Sequence, residues 1–574
     1  MSDEEPLVPV SGEKGNEARS PVLSLALLVL VTVGCLAPFA NKAFHVDDPL
    51  FVWTARQIQQ RPFDFYGFKV NWYGWEMPMA EVTKNPPLAA YYLAGAASVL
   101  GWGEIGLHLA FLLPALAAAA GTWFLAREFC SRPLLAALFA IVSPVFLISG
   151  TSVMCDTMML ASWVWALWFW VRGLEAGRGS QLASACVLVC LGALTKYFGM
   201  ALLPLMAVYA LVQRKPVRLW LPHFLLPTMV LAAYQWATFH LYGRGLLLDA
   251  AAYSGGYRAW SKVSSFSELL VGLVFCGGCL APVLFYTAWL WSKRALALLG
   301  VVAAAVLAVV VLRGQLGHLA LHGDEGYRWG VLAQAVVYAF GGSGLLGLAG
   351  VELWRRRDAS TLLLALWIGG TFFFASVVNW TVNGRSLLPM APAAGILVAR
   401  RLERLKTGWM VSPGWKLTLP LIPAIALGVV AARGDWRMAG SSKLAASELC
   451  RLFAPEGRRL WFEGHWGFQY YMELKGARPI DYRSSTFAAG DRAIIPLGGV
   501  NLEMAPSTFT WQQTLDAINH PWLTTSSAPA GAGFYADVIG PLPFALVRVQ
   551  TEQYELYDVV AAGDFHGQKL PAKP

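Results

Sequence analysis

Charged residues make up only 14% of this 574-residue chain. A soluble protein of that length needs far more polar side chains to cover its surface, so a soluble globular protein is excluded. Cysteine is sparse too: the eight are scattered, and most lie in apolar segments (Cys35, Cys186, Cys190, Cys276). Cys276 and Cys279 form a CxxC, but between Phe275 and Leu280 the setting is mid-membrane, where free Cys behaves as a small buried apolar residue. There is no internal repeat of fixed period, no low-complexity tract beyond Ala- and Leu-rich stretches, and no cluster of metal-ligating residues.

What is present is apolar. Hydrophobic residues reach 56%, with 25 Trp and a mean hydropathy of +0.50. Long apolar stretches recur from about residue 21 to 432, and a spanning helix needs ~18 or more such residues. The net charge of +9 does not indicate a nucleic-acid partner, because the basic residues sit in short loops between apolar stretches, as the positive-inside rule expects. Six loops read as inner: Arg127–Arg132, Arg172–Arg178, Arg214–Arg218, Lys293–Arg294, Arg355–Arg357 and Arg400–Lys406. Between Arg178 and Arg214 two brief spans, turning outside at Lys196, satisfy the rule where one long span does not.

The expected fold is therefore an α-helical polytopic membrane protein of about thirteen spans. Residues 1–20 read as a disordered cytoplasmic N-terminus, and the run Pro21–Ala40, without a clean small-x-small cleavage site, as an uncleaved anchor. Residues 21–432 form the membrane domain with a long outer loop at 41–104. Residues 433–574, of ordinary soluble composition, read as an extracytoplasmic α/β domain resting on the outer face. Strands are expected at Arg459–Phe462 and Ala545–Val549, and a helix at Phe468–Leu474. The expected location is the plasma (inner) membrane.

Chemistry-bearing residues gather on that outer side. Asp47 and Asp48 follow the first apolar stretch and lead into Phe51-Val52-Trp53 and Ala55-Arg56, the spacing of an interfacial amphipathic helix; acids at a helix N-terminus are also ordinary there. Thr83-Lys84-Asn85-Pro86-Pro87-Leu88 holds Lys84 near the surface through its two prolines. Asp156 begins the fourth span, where an ionisable group costs ~2.5–3.5 kcal/mol and needs a polar cavity or a partner. Lys196, in Leu194-Thr195-Lys196, is the matching cation, and a structural Asp156–Lys196 pair is the plainer account of both. Arg385, at the mouth of the twelfth span, offers a rigid fork of donors suited to phosphate oxygens. His465, in Gly464-His465-Trp466-Gly467, reads as structural.

Together these segments resemble the C-type, multi-spanning glycosyltransferases that use polyprenyl-phosphate sugars, within the protein mannosyltransferase and lipid A aminoarabinose transferase superfamily. Asp47-Asp48, Phe51 and Ala55-Arg56 keep the spacing of the family's first outer loop, with Asp for Glu at the second acid. Asn85-Pro86-Pro87-Leu88 stands where the family has Lys-Pro-Pro-Leu, so Lys84 lies one residue early. Leu194-Thr195-Lys196 matches the family's Leu-Thr-Lys turn, and Arg385-Ser386-Leu387-Leu388-Pro389 its Arg-Tyr-Leu-Leu-Pro.

The resemblance implies a membrane glycosyltransferase moving a sugar from a polyprenyl-phosphate donor to a lipid, glycan or protein hydroxyl, with inversion. Asp47 is then the general base, and Asp48 and Arg56 orient it or hold the acceptor. Lys196, Arg385 and, third, Lys84 stabilise the leaving phosphate, with Asp156 supporting. No cofactor is required, although an acidic pair near phosphate is a setting for a divalent ion. The rival classes are a flippase or transporter, which predicts paired repeats and broken helices in two halves, and a non-catalytic assembly protein, which predicts no loss on neutralising Asp47.

Overall fold

The computed structural model describes residues 21–261, 263–323, 326–404, 414–454, 457–497, 508–516 and 521–564. The expected N-terminal tail, 1–20, lies outside the described residues, as does Lys406 of the last basic loop. Among the described residues, seven helices are long and apolar enough to cross a membrane: Pro21–Phe39, Glu104–Phe129, Val217–Tyr242, Lys293–Arg313, Trp329–Arg355, Ala359–Val378 and Lys416–Phe453. Two bent pairs bring the number to nine, and Leu88–Leu100, Gly179–Thr195 and Tyr197–Val212 are shorter apolar helices. The expected thirteen therefore stands at seven to nine by length and composition. Part of the difference lies in segments such as Asp156–Ala176, a 21-residue helix whose Trp, Arg and Glu content keeps its hydropathy down.

The bends have covalent causes. Pro133–Ile141 and Pro144–Gly150 meet at 61°, where Pro144 lacks an N–H and forces Ser143 into an extended conformation. Ser265–Cys279 and Pro282–Leu290 meet at 93° at Pro282. Ser265–Cys279 packs on Trp329–Arg355 backbone to backbone: a Cβ on Gly277 would lie 1.8 Å from the Tyr338 carbonyl. Small residues permit such approach between apolar helices. Cys276 and Cys279 are free and buried on this helix.

After the first span comes a helix, Asp48–Gln60, then an antiparallel hairpin pairing Lys69–Asn71 with Glu76–Pro78. The C-terminal portion carries a five-stranded sheet in the order Phe509–Asp516, Gln553–Val559, Arg492–Pro496, Leu460–Phe462, Arg478–Pro479. The first two contacts are antiparallel and the last two parallel. Leu460–Phe462, the helix Trp466–Leu474 and Arg478–Pro479 make a crossover unit with its own apolar layer of Trp461, Ile480, Phe487, Ala493 and Ile495.

Two expectations for this region change. Ala545–Val549 is not a strand: its one ladder contact is the isolated bridge Thr524↔Ala545, because the segment runs against the membrane helices instead. The boundary expected at residue 433 falls inside Leu421–Phe453, an unbroken helix that carries the chain into the C-terminal portion. Residues 521–549 do not merely rest on the bundle. The Gly384 N–H donates to the Phe534 carbonyl at 2.7 Å, the Asp537 N–H to Val382 at 2.9 Å, and the Leu546 N–H to the Gln334 side chain at 2.7 Å. One apolar core runs from Leu28 through to Leu556.

Candidate active site

A cavity of ≈ 1880 Å³ opens between the first loop, the membrane helices and segment 521–553. It exceeds the ~300–1,000 Å³ of most small-ligand sites. Its lining combines the apolar Phe198, Met200, Pro204, Phe374 and Val378 with Asp47, Lys84, Lys196, Arg258 and Arg385. Such a mixed lining suits a molecule with a charged head and a hydrocarbon tail.

Asp47 is placed by a strained turn. Val46 has φ 49°, a left-handed conformation that a β-branched residue adopts only when its surroundings hold it there. Asp47 then caps the helix Asp48–Gln60 without a side-chain capping bond, which leaves its carboxylate for other partners. The surroundings that hold the turn come from the other end of the chain. A Cβ on Gly467 would lie 2.1 Å from the Phe44 carbonyl, and the Phe44 N–H donates to the Tyr471 hydroxyl at 2.9 Å. Trp466, at the start of the helix Trp466–Leu474, also has a positive φ, 60°.

Arg385 reaches Asp47 through Nη2 to Oδ2 at 2.8 Å. Its guanidinium lies over the Tyr535 ring, 5.5 Å from the centroid, and its buried Nε has no partner among the described residues. Arg385 sits in a single helical turn, Gly384–Leu387, capped by the Asn383 side chain. Lys196, at the break between Gly179–Thr195 and Tyr197–Ala201, donates to Asp156 Oδ1 at 2.6 Å. Asp156 is the first residue of its helix, and its second oxygen, Oδ2, is buried without a partner among the described residues. Lys84 donates to Asp249 at 2.8 Å and to the Glu81 carbonyl at 2.9 Å, and lies over the Tyr253 ring.

The structure thus brings Asp47, Arg385, Lys196 and Lys84 to one cavity, with Asp156 directly behind Lys196. It does not bring Asp48 or Arg56 there. Asp48 is fully buried and accepts the backbone N–H of His45 at 2.9 Å and of Val153 at 3.0 Å, tying the first loop to the turn before Asp156. Burial pushes its carboxyl up to about 7. Arg56 lies one helix face away, donating to Tyr470 at 3.1 Å and stacking over Trp102. It docks the C-terminal helix and does not contact Asp47.

Several residues escaped the sequence reading. His45 is buried, with neither ring nitrogen partnered among the described residues; it lines the cavity, and burial pushes its imidazole down to about 4. Lys42 pairs with Asp435 at 2.5 Å, both wholly buried. Asp435 also accepts from Thr525 at 2.6 Å and from the Tyr535 hydroxyl at 2.9 Å. That network fixes the Tyr535 ring on which Arg385 lies. Arg258 pairs with Glu268 and bonds to the Asn379 carbonyl at the cavity's far wall. His465, which the sequence reads as structural, is on the cavity lining with its ring 6.2 Å from Trp72. Among the described residues no group of three His, Cys, Asp or Glu side chains is placed to hold a metal ion.

The sequence model of the dolichyl-phosphate-mannose-protein mannosyltransferases matches residues 84–241. That segment carries Lys84, Asp156 and Lys196 in order. The chain is similar to the protein mannosyltransferases. No curated protein matches it. Among solved structures it is similar to the oligosaccharyltransferase of Archaeoglobus fulgidus, tethered with an acceptor peptide, at 12% identity and a TM-score of 0.48, over 80% of this chain and 63% of that one. The chain thus spans less than two thirds of that archaeal protein. ArnT from Cupriavidus metallidurans, bound to undecaprenyl phosphate, is similar at 14% identity and a TM-score of 0.44, over 83% and 93%. The arabinosyltransferase EmbB from Mycobacterium smegmatis follows at 14% and 0.35, over 92% and 49%.

Proposed function

We propose that this integral membrane protein is a glycosyltransferase, moving a sugar from a polyprenyl-phosphate donor to a hydroxyl acceptor at the outer membrane face. The observation that carries the reading is the Asp47–Arg385 pair in a cavity lined by both apolar and cationic residues. Asp47 takes the proton of the acceptor hydroxyl as its oxygen attacks the anomeric carbon. The glycosidic bond breaks on the opposite side, and its electron pair leaves on the polyprenyl phosphate, so the anomeric centre inverts. Negative charge grows on that phosphate, where Arg385, Lys196 and Lys84 stabilise it more in the transition state than in the ground state. Arg385 touches the base and faces the same space, which couples orientation of Asp47 to arrival of the donor. The apolar residues of the lining take the prenyl chain. The reading requires no cofactor.

The test is transfer from a radiolabelled polyprenyl-phosphate sugar by purified native protein and by Asp47→Asn. The amide keeps the size and loses the proton acceptor, so transfer should fall by ~10²–10⁴-fold while donor binding persists. A folded Asp47→Asn protein with native transfer removes the base. A native protein that moves labelled lipid across vesicles without glycosylating an acceptor makes it a flippase.

A further inference from the structure

A second cavity lies at the seam between the first loop and the C-terminal sheet. Its volume is ≈ 780 Å³, within the ~300–1,000 Å³ of built ligand sites. The helix Asp48–Gln60 is common to both cavities: Asp47 and Leu50 at its start face the first, and Trp53, Arg56, Gln57 and Gln60 face the second. At 1.5 Å per residue, Gln57 lies about 15 Å along from Asp47. The indole of Trp53 packs edge-on against Trp72, 6.3 Å between centroids, and Trp72 lines the first cavity.

The charges of this cleft are unevenly satisfied. Asp481 accepts the backbone N–H groups of Arg483, Ser484 and Glu76. Glu76 pairs with Lys69 at 3.5 Å. Glu473 accepts from Gln469 at 2.8 Å. The carboxylates are thus taken up by the fold itself. Arg459 and Arg478 are different. Arg478 opens a strand in register with Trp461 and Arg459 stands just before the parallel strand Leu460–Phe462; neither guanidinium forms an ion pair among the described residues, although Arg459 also acts on the Asp491 carboxylate. Arg459 lies over Trp461. The rest of the lining mixes amides and hydroxyls, such as Asn71 and Ser484, with the cation Arg56 and the apolar Phe68, Val70 and Pro479. A single small anion does not fill the space, and the polar and charged groups interleaved with the apolar ones suit a sugar chain better than a hydrocarbon one.

We infer that this cleft binds an acidic oligosaccharide. Arg459 and Arg478 take its carboxylate or phosphate groups through their forked donors, the amides and hydroxyls take sugar hydroxyls, and the half-buried Trp53 ring offers a face to a pyranose. On the transferase reading, and only for its purpose, the bound chain is the distal part of an extended acceptor whose reacting end lies at Asp47.

The experiment is a binding titration of the purified full chain, by calorimetry, with three probes: an oligogalacturonate, maltohexaose of similar length, and an inorganic polyphosphate of similar charge. The oligogalacturonate should bind saturably and more weakly as salt rises, with maltohexaose and polyphosphate at least about ten-fold weaker. The double variant Arg459→Ala/Arg478→Ala should lose about ten-fold or more for the uronate. Both side chains are exposed, so its thermal midpoint should stay native. Trp53→Ala should weaken the uronate without changing the salt dependence. No saturable uronate binding, equal binding of maltohexaose, equal binding of polyphosphate, or native binding by the folded double variant each overturns the inference. Asp47→Asn should bind the uronate as the native chain does, so loss of the transferase reading and loss of the cleft give different patterns.

Discussion

Arg385 and Lys196 are both cations of the cavity, yet their pairing predicts unequal effects. Arg385→Ala removes a contact to Asp47 as well as a candidate phosphate donor, whereas Lys196→Ala removes only the latter and leaves Asp156 without its cation. A hydrogen bond to a charged group contributes ~1.5–3 kcal/mol, so kcat/KM should fall by ~10–150-fold for Lys196→Ala and further for Arg385→Ala. Lys84→Ala should be milder, because Asp249 and the Glu81 carbonyl already hold that ammonium. Steady-state kinetics on labelled donor decide it, and native transfer by both of the first two variants removes them from the donor site. The buried neighbours His45 and Asp48 predict opposing pH effects on stability. For His45, pushed down to about 4, the unfolded chain binds more protons between about 4 and 6.5, so its term makes stability rise with pH. For Asp48, pushed up to about 7, the folded chain binds more, so its term makes stability fall between about 4 and 7. The two terms largely offset one another from pH 4.5 to 6.5, so relative to the native profile Asp48→Asn should make the thermal midpoint rise with pH and His45→Gln should make it fall. Parallel profiles for both variants sink that account.

At the scale of elements, sequence reading located what is local. An acid pair before an amphipathic stretch gave the start of Asp48–Gln60, and Lys196 between two short apolar runs gave the break before Tyr197. Asn383 and Pro389 flank the short turn that carries Arg385. What it could not locate depends on contacts across the chain. Lys42 and Asp435 are 393 residues apart, and Asp435 in Leu421–Phe453 carries no local signal beyond being an acid in an apolar helix. An ionisable residue in an apolar helix needs a partner, and this holds for Asp435 as it does for Asp156. The resemblance places Asp48 at the site as the second acid of the family's pair, but successive residues at a helix start point in different directions, and its side chain turns into the protein. The Lys42–Asp435 pair is testable by a double-mutant cycle. Breaking one side of a buried pair is destabilising by ~3–5 kcal/mol, so Lys42→Met and Asp435→Leu should each lower the thermal midpoint strongly. The double variant should fall less than their sum. Transfer should drop with them, since Tyr535 and Arg385 rest on Asp435. Strict additivity means the two side chains do not interact.

At the scale of the molecule, the C-terminal portion is part of the site. Segment 521–553 walls the cavity, the helix Trp466–Leu474 holds the turn before Asp47, and one apolar core joins both to the membrane helices. The composition shift near residue 433 was legible; the interleaving was not, because hydropathy reports which residues avoid water and not which neighbours they choose. This arrangement sharpens the question of sidedness. If Asp47 works at the outer face, the sheet that docks beside it must be outside as well, whatever the final number of spans, so the parity of the spans matters more than their count. Gln513 lies on the strand Phe509–Asp516 with its side chain exposed, clear of the cavity lining. A Gln513→Cys protein should react with a membrane-impermeant maleimide in intact cells, after the eight native cysteines are replaced to remove background. Labelling only after lysis would put the sheet inside, and with it Asp47, Arg385 and the mouth of the cavity. The donor would then have to be reached from the cytoplasmic face, and the outer-face transferase reading would fail even with every contact in the site intact.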